Sequence, residues 1–364
     1  MRREFRSNPA SNQEMHYRSN QIRGCRTILV FNFFKGLLDR GIPLYADNLC
    51  IAFEKEGIVC RQLRCPRVFR ILPSPLLNLA FVFTEQVIVP TAGLWFDRVI
   101  YPYNSVAVMG AFSRKTAVVV HDFLSSRQSN NSFAARYLRL TQATAARAGT
   151  DVIYVSRSTM RIGRILCKFP KSRTFLFPNA FYIFQNLIPA GIAERCDEVL
   201  LCSGVGKNKD LIGALQLYLD SGLWRKRHVR ILGLAGHIEI VDEFCHNNPQ
   251  VKDMISVMPQ VDDRNVVQAY QKAAWVWVHS AAEGYGRSIA EARLCGCRVV
   301  AANIAPFREQ TDEATFLYRG LEEFKKAICR CEEAGIATQR RVSPEHQLLH
   351  TEIRRFMRFD EIES

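Results

Sequence analysis

The chain has 364 residues and a formal net charge of +14, with 48% hydrophobic and 23% charged residues. That balance excludes a disordered polymer, which lacks the apolar content to offset chain entropy. The length exceeds the roughly 250–300 residues that one hydrophobic core usually organises, so two domains are expected.

Residues 1–26 carry 6 basic and 2 acidic side chains and no apolar run of the secretory type, and are expected to form a disordered or loosely attached basic leader. Residues 27–180 contain 20 basic and 8 acidic residues, whereas 181–364 contain 23 and 25, so the positive field belongs to the front half. Neither a zinc-finger spacing nor an RNA-recognition aromatic motif accompanies those charges, and nucleic acid is not an expected partner. The cysteine pairs Cys295/Cys297 and Cys329/Cys331 are separated by one residue, unlike structural zinc sites. With no His-Glu-x-x-His either, no bound metal is expected, and the thiols read as reduced, buried small hydrophobes of a cytoplasmic protein.

In chain order, Ile28–Asn32 reads as a first strand, followed by the loop and helix start Gly41-Ile-Pro-Leu-Tyr-Ala-Asp-Asn-Leu49. Phe69–Phe96 is apolar but interrupted by Pro73, Pro75, Glu85 and Pro90, so a spanning helix is not expected. A core element is the reading, an interfacial helix its alternative. Lys115–Phe123 is a strand that ends in Val-His121-Asp122, and Asp151–Ser156 is a later one. Phe177-Pro-Asn-Ala180 closes a first domain at 27–180, and 181–196 is expected to be a hinge.

The second domain, 197–340, opens with Val-Leu-Leu-Cys-Ser-Gly-Val-Gly-Lys207-Asn208-Lys209-Asp, a strand and a glycine loop before a helix. Alternating strand and helix patterns predict α/β architecture. After Pro344, Leu348, Leu349, Ile353, Phe356 and Met357 recur at helical spacing, predicting a C-terminal helix within 341–364.

The chemistry concentrates between 275 and 309. Trp275–Val278 reads as a buried strand, Ile289–Leu294 as a short helix ended by Gly296 in a left-handed conformation, and Arg298–Ala302 as the next strand. The loop between, Glu283-Gly284-Tyr285-Gly286-Arg287-Ser288, then lies at the carboxyl edge of a parallel sheet, where ligands bind. Gly284 and Gly286 are expected to let a ligand approach without meeting a Cβ. The amides of Gly286, Arg287 and Ser288 are expected to face an anion, most naturally a diphosphate. Glu291, placed in the first helical turn, can accept hydrogen bonds from a ribose, and Glu283 from a hexose. The competing reading is an ordinary helix start with an acid nearby.

Glu-Gly-Tyr-Gly-Arg-Ser-Ile-Ala-Glu-Ala-Arg-Leu-Cys-Gly-Cys-Arg-Val-Val-Ala resembles the signature of the family 4 retaining glycosyltransferases, with Arg287 and Ser288 where Leu-Pro is usual. The resemblance implies the GT-B fold: two Rossmann-like, doubly wound α/β domains facing across a cleft, the front one for the acceptor and the rear one for the donor. It implies a hexosyltransferase that uses a nucleotide-diphosphate sugar, with no required cofactor, and retains anomeric configuration. Lys207 and Asn208 match the family's Lys-Asn phosphate element. The arginine usually preceding it is missing, and Lys209 or Arg287 is the expected substitute. His121 and Asp122 match the strand end that faces the cleft, and Gly41 the first glycine loop. A basic front domain suits a saccharide or lipid-linked saccharide acceptor at an anionic membrane, with peripheral contact on the inner face of the cytoplasmic membrane. The alternatives are a catalytically silent binding protein of this fold and a basic nucleic-acid binder.

Overall fold

The computed structural model describes residues 27–362 apart from 38–40, 67–68, 70, 125–132, 168–172, 191–193, 235, 259–261, 336–339 and 342–344; the expected basic leader at 1–26 lies outside the described residues. The front lobe is a six-stranded parallel sheet built from β1 (Thr27–Phe31), β2 (Val59–Leu63), β3 (Arg98–Tyr101), β4 (Thr116–Val120), β5 (Asp151–Tyr154) and β6 (Thr174–Leu176), in the order β2-β1-β3-β4-β5-β6. Sequences such as Thr-Ala-Val-Val-Val form inner strands because a parallel sheet covered on both faces buries every side chain. The rear sheet has β7 (Val199–Cys202), β8 (Val229–Leu232), β9 (Ile255–Val257), β10 (Trp275–Val278), β11 (Val299–Ala302) and β12 (Thr315–Tyr318), in the order β12-β11-β10-β7-β8-β9. That is the doubly wound dinucleotide-fold order, reversing between β7 and β10.

Helices cover the sheets. In the front lobe these are α1 (Ile42–Lys55), α2 (Ser74–Gly93), α3 (Phe133–Ala148) and α4 (Arg157–Leu166). In the rear lobe they are α5 (Leu211–Ser221), α6 (Glu239–Asn247), α7 (Asp263–Lys272), α8 (Arg287–Leu294) and α9 (Gly320–Glu333). The last helix, α10 (Glu345–Ile362), returns to the front lobe. Phe356 packs edge-on against Phe175 and Phe177 at 5.0 and 5.6 Å, and the Glu352 carboxylate accepts from the Leu176 amide at 3.0 Å.

One expectation is corrected here. The apolar stretch around α2 was expected in the core, yet only its inner side packs there, through Leu77, Ala80, Phe81, Val89 and Ala92. Its outer side is exposed, because a helix lying on one face of a two-lobed protein has a single protein neighbour.

Candidate functional site

In the rear sheet the segments following β7 and β10, 203–210 and 279–286, leave the carboxyl edge side by side at the point of reversal. Backbone bonds join them: the amides of Ala281 and Ala282 donate to the Asn208 carbonyl at 2.8 and 3.0 Å. The Asn208 side chain donates to the Ala282 carbonyl at 3.3 Å. This brings Lys209 against Glu283, whose Oε1 receives the Lys209 ammonium and, at 2.9 Å, the Ser280 hydroxyl. Lys207, the residue expected to hold phosphate, is exposed. Of the two lysines, Lys209 therefore meets the acidic group of the site, while Lys207 stays exposed.

A polar chain behind this loop was not recognised in the sequence. Trp277 Nε1 donates to the Tyr318 hydroxyl at 2.8 Å, and that hydroxyl lies 2.5 Å from His279 Nδ1. The opposite nitrogen of His279 is 3.3 Å from Asp210 Oδ2. A tryptophan N–H only donates, so the tyrosine hydroxyl donates on to Nδ1 and Nε2–H points at the carboxylate. Burial lowers the His279 pKa, with Asp210 opposing, so the neutral ring suits the relay. Asp210 in turn caps α5 from a left-handed conformation, φ 50°, accepting from the Gly213 amide. The only sequence trace is a histidine at the end of a strand.

Across the crevice stand His121 and Asp122, at the end of β4. His121 Nε2 is 2.9 Å from the Pro102 carbonyl, its ring is edge-on to Tyr45 at 4.8 Å, and its amide donates to Asn104 Oδ1 at 2.6 Å. A carbonyl can only accept, so the proton sits on Nε2 and Nδ1 keeps its lone pair. Burial, with the charge of Arg287 adding, lowers its pKa to about 4 despite the Pro102 bond. The ring is neutral at physiological pH. Burial raises the Asp122 pKa; the Leu124 amide opposes this, the Glu283 charge adds to it, and Lys209 partly offsets it. Asp122, Phe123 and Leu124 from the front lobe, with Glu283 and Pro306 from the rear, border a crevice that is partly open to solvent. Gly41, at φ 74° before α1, has nothing within 4 Å of where a Cβ would be.

The loop at 283–291 departs from expectation in three respects. First, the room left by its glycines is occupied by protein. A Cβ on Gly284 would collide with the His121 carbonyl of the front lobe, and one on Gly286 with the Phe307 ring. Gly284 thus permits the two lobes to touch. Its carbonyl accepts from Ser156 and Thr159 hydroxyls at 2.6 and 3.0 Å. Beside it, the Glu309 carboxylate accepts the first amides of α4, from Arg157 at 2.8 Å and Ser158 at 2.5 Å.

Second, α8 starts at Arg287, with Gly286 at φ 86° as its cap, so Glu291 lies one full turn in. Third, Glu291 is 2% exposed. It accepts from Tyr270 at 3.1 Å and pairs with Arg287 at 3.2 Å, the i,i+4 geometry of neighbours on a helix. A carboxylate expected to be open to a ribose is instead held by its own helix and by α7. Arg287, expected to reach a diphosphate, lies between Glu291 and the Phe181 ring, 5.3 Å away. Tyr285 is buried against Phe181, and Ser288 is half-buried on the first turn of α8. No side chain caps that helix. Gly296 ends it at φ 71°, the left-handed stop that was expected.

By sequence the chain matches no protein-family model and no curated protein. By structure it is similar to HepE from Anabaena in complex with UDP-glucose, with a TM-score of 0.60 at 18% identity over 93% of this chain and 99% of that one. It is similar to sucrose-phosphate synthase from Thermosynechococcus elongatus, with a TM-score of 0.63 at 12% identity over 93% and 96%. The same holds for WaaG, a glycosyltransferase involved in lipopolysaccharide biosynthesis, with a TM-score of 0.57 at 12% identity over 93% and 98%. Likenesses at such identities carry the architecture: the chain has the two-lobed Rossmann-like α/β fold of these structures, GT-B.

Proposed function

We propose that the protein is a retaining glycosyltransferase that moves a hexose from a nucleotide-diphosphate sugar to a hydroxyl of a saccharide or lipid-linked saccharide, in assembly of a cell-surface polysaccharide or glycolipid. The observation that carries this reading is the Glu283–Lys209 pair at the rear switch point, facing Asp122 across the crevice. The family 4 pattern of 283–301 supports it, as does the shared fold with HepE, which was solved with UDP-glucose.

In this reading Glu283 accepts hydrogen bonds from sugar hydroxyls, while Lys209, Arg287 and the first amides of α8 face the diphosphate. As the acceptor oxygen bonds to the anomeric carbon, the bond to the diphosphate oxygen breaks and its electron pair leaves with the diphosphate. The acceptor's proton leaves to the same group, on the same face. Lys209 and the helix start stabilise that growing negative charge. Neutral His121 offers Nδ1 as an acceptor for a sugar or acceptor hydroxyl, and Asp122 orients the other partner. For Glu291 to hold a ribose, Arg287 must turn from it to the diphosphate, so one side-chain exchange readies both.

The test is thermal stabilisation by uridine, guanosine, adenosine and thymidine diphosphate sugars, followed by transfer assays with the sugar that binds. Stabilisation by one of them with turnover supports the proposal. Binding without turnover points to a silent binding protein. Indifference to all four, with salt-dependent retention on nucleic acid, points to the basic binder.

A further inference from the structure

Segment 102–106, which leaves the end of β3, runs beside the end of β4 and supplies two hydrogen bonds to His121. The Pro102 carbonyl faces Nε2 at 2.9 Å, and Asn104 Oδ1 accepts from the His121 amide at 2.6 Å. Asn104 is one of two non-glycine residues with positive φ among those described, at 61°. Asparagine enters that left-handed region at a lower cost than most residues, and the surrounding bonds hold it there. Its amide donates to the Val119 carbonyl at 3.2 Å, and its carbonyl accepts from Gln142 of α3, also at 3.2 Å.

The far end of the segment is fastened by a buried acid. The Ser105 hydroxyl donates to Glu85 Oε1 at 2.5 Å, and the Tyr137 hydroxyl of α3 donates to Oε2. Beside it, Gln86 accepts from the Val108 amide at 2.9 Å and donates to the Val106 carbonyl at 3.3 Å. Both side chains come from the π-helical turn of α2, Thr84–Ile88. Such turns are rare and occur frequently at functional sites. Glu85 is fully buried, and the groups bonded to it among the described residues are all neutral. A buried carboxyl without a cation costs stability that an apolar side chain would not; what it supplies is an anchor for Ser105.

We infer that Glu85, Ser105 and Asn104 are positioning residues for His121: through segment 102–106 they hold the imidazole with its proton on Nε2 and Nδ1 as the acceptor for substrate. None of the three borders the crevice, so they act through the histidine. The inference rests on the sugar-transfer reading only for what Nδ1 meets; the hold on the ring needs no donor.

The experiment is nitrogen-15 NMR of the full chain labelled at histidine, with the His121 resonance assigned from its loss in His121→Gln. Wild-type protein should show one neutral tautomer, protonated at Nε2. Asn104→Gly preserves the positive φ and removes the side-chain acceptor, while Glu85→Leu removes the anchor. In each, the second tautomer should appear at roughly a tenth of the population or more. The His121 pKa should climb from about 4 toward 6.5 as the ring gains water. Arg287, whose charge also bears on the ring, is unaltered in every variant. Glu85→Gln keeps an oxygen for Ser105 and should match the wild type. With a nucleotide sugar that is turned over, kcat should fall about tenfold in the first two variants and the donor KM should stay within about twofold.

A His121 resonance unmoved in both Asn104→Gly and Glu85→Leu would overturn the inference, even with lower melting temperatures, since these groups would then be purely structural. So would a Glu85→Gln resonance displaced as far as that of Glu85→Leu. Should Glu85→Leu fail to fold, Asn104→Gly decides alone. Absence of turnover with every sugar would count against the transfer reading and leave the NMR result standing.

Discussion

The rear lobe pairs charged groups at the loops that follow its switch-point strands, whereas the front lobe, on a six-stranded parallel sheet of different strand order, leaves apolar and basic groups on its helices facing solvent. In the rear lobe Glu283 is paired with Lys209, Glu291 with Arg287, and His279 with Asp210. In the front lobe α2 and α3 present exposed leucine, phenylalanine and arginine with no exposed acid. Two six-stranded parallel sheets of different strand order thus dispose their polar and apolar groups differently. Residues after the strands at the switch point create a preorganised polar site, while residues on the helices' outer faces, which the sheet does not constrain, are free to meet a partner.

The largest expected effect sharpens the rear half of this contrast. Glu283→Gln removes the acidic member of the crevice pair while keeping its volume, and turnover should fall about 10²- to 10³-fold. Donor affinity, read from nucleotide-sugar stabilisation, should change far less. Equal loss of both would mean that Glu283 merely holds the loop.

The next concerns the front half. Burial raises the Glu85 pKa to about 7, against the opposing bonds from Ser105, Tyr137 and Gln86. Its folded-state pKa therefore exceeds the unfolded value, so the folded chain binds the extra proton and stability declines as pH rises from about 4.5 to 7. At about 1.4 kcal/mol per unit, the decline is on the order of 3 kcal/mol. His121 acts oppositely: its lowered pKa removes stability as pH falls from 6.5 toward about 4. The two slopes cancel in the wild type over the shared range. Denaturant titrations should show Glu85→Gln losing stability toward acid and His121→Gln losing it toward neutral pH. Parallel profiles for all three proteins would refute this assignment.

Gly284→Ala tests the place where the lobes meet. The new methyl group collides with the His121 carbonyl, and either the lobes part or the loop shifts, at a cost of about 1–3 kcal/mol. An increased radius of gyration by small-angle scattering is the expected signature, and an unchanged radius and melting temperature the contrary one. The smallest effect is expected for Glu291→Gln, which keeps a bond to Tyr270 but weakens the pairing with Arg287. Nucleotide-sugar affinity should fall about tenfold, equivalent to about 1.4 kcal/mol. A lower melting temperature with unaltered affinity would assign Glu291 a purely structural role.

Much of the frame was legible because it is local. The runs Ile28–Asn32, Trp275–Val278 and Arg298–Ala302 form strands at nearly those bounds, and Gly296 stops α8 as its type demands. The outer surface of α2 was not legible, since hydropathy records how apolar a helix is and not how many neighbours it has.

Sequence by itself thus determined the α/β alternation, the strand edges and the glycine loop with its two glutamates, because period and backbone freedom act over a few residues. Only the tertiary structure decided that Lys209 meets Glu283, that Glu291 is closed in by Tyr270 and Arg287, and that Gly284 admits the opposite lobe in place of a ligand. Those outcomes depend on which distant segments arrive at the same edge, and side-chain pairing and close approach are settled there by geometry that no local pattern contains.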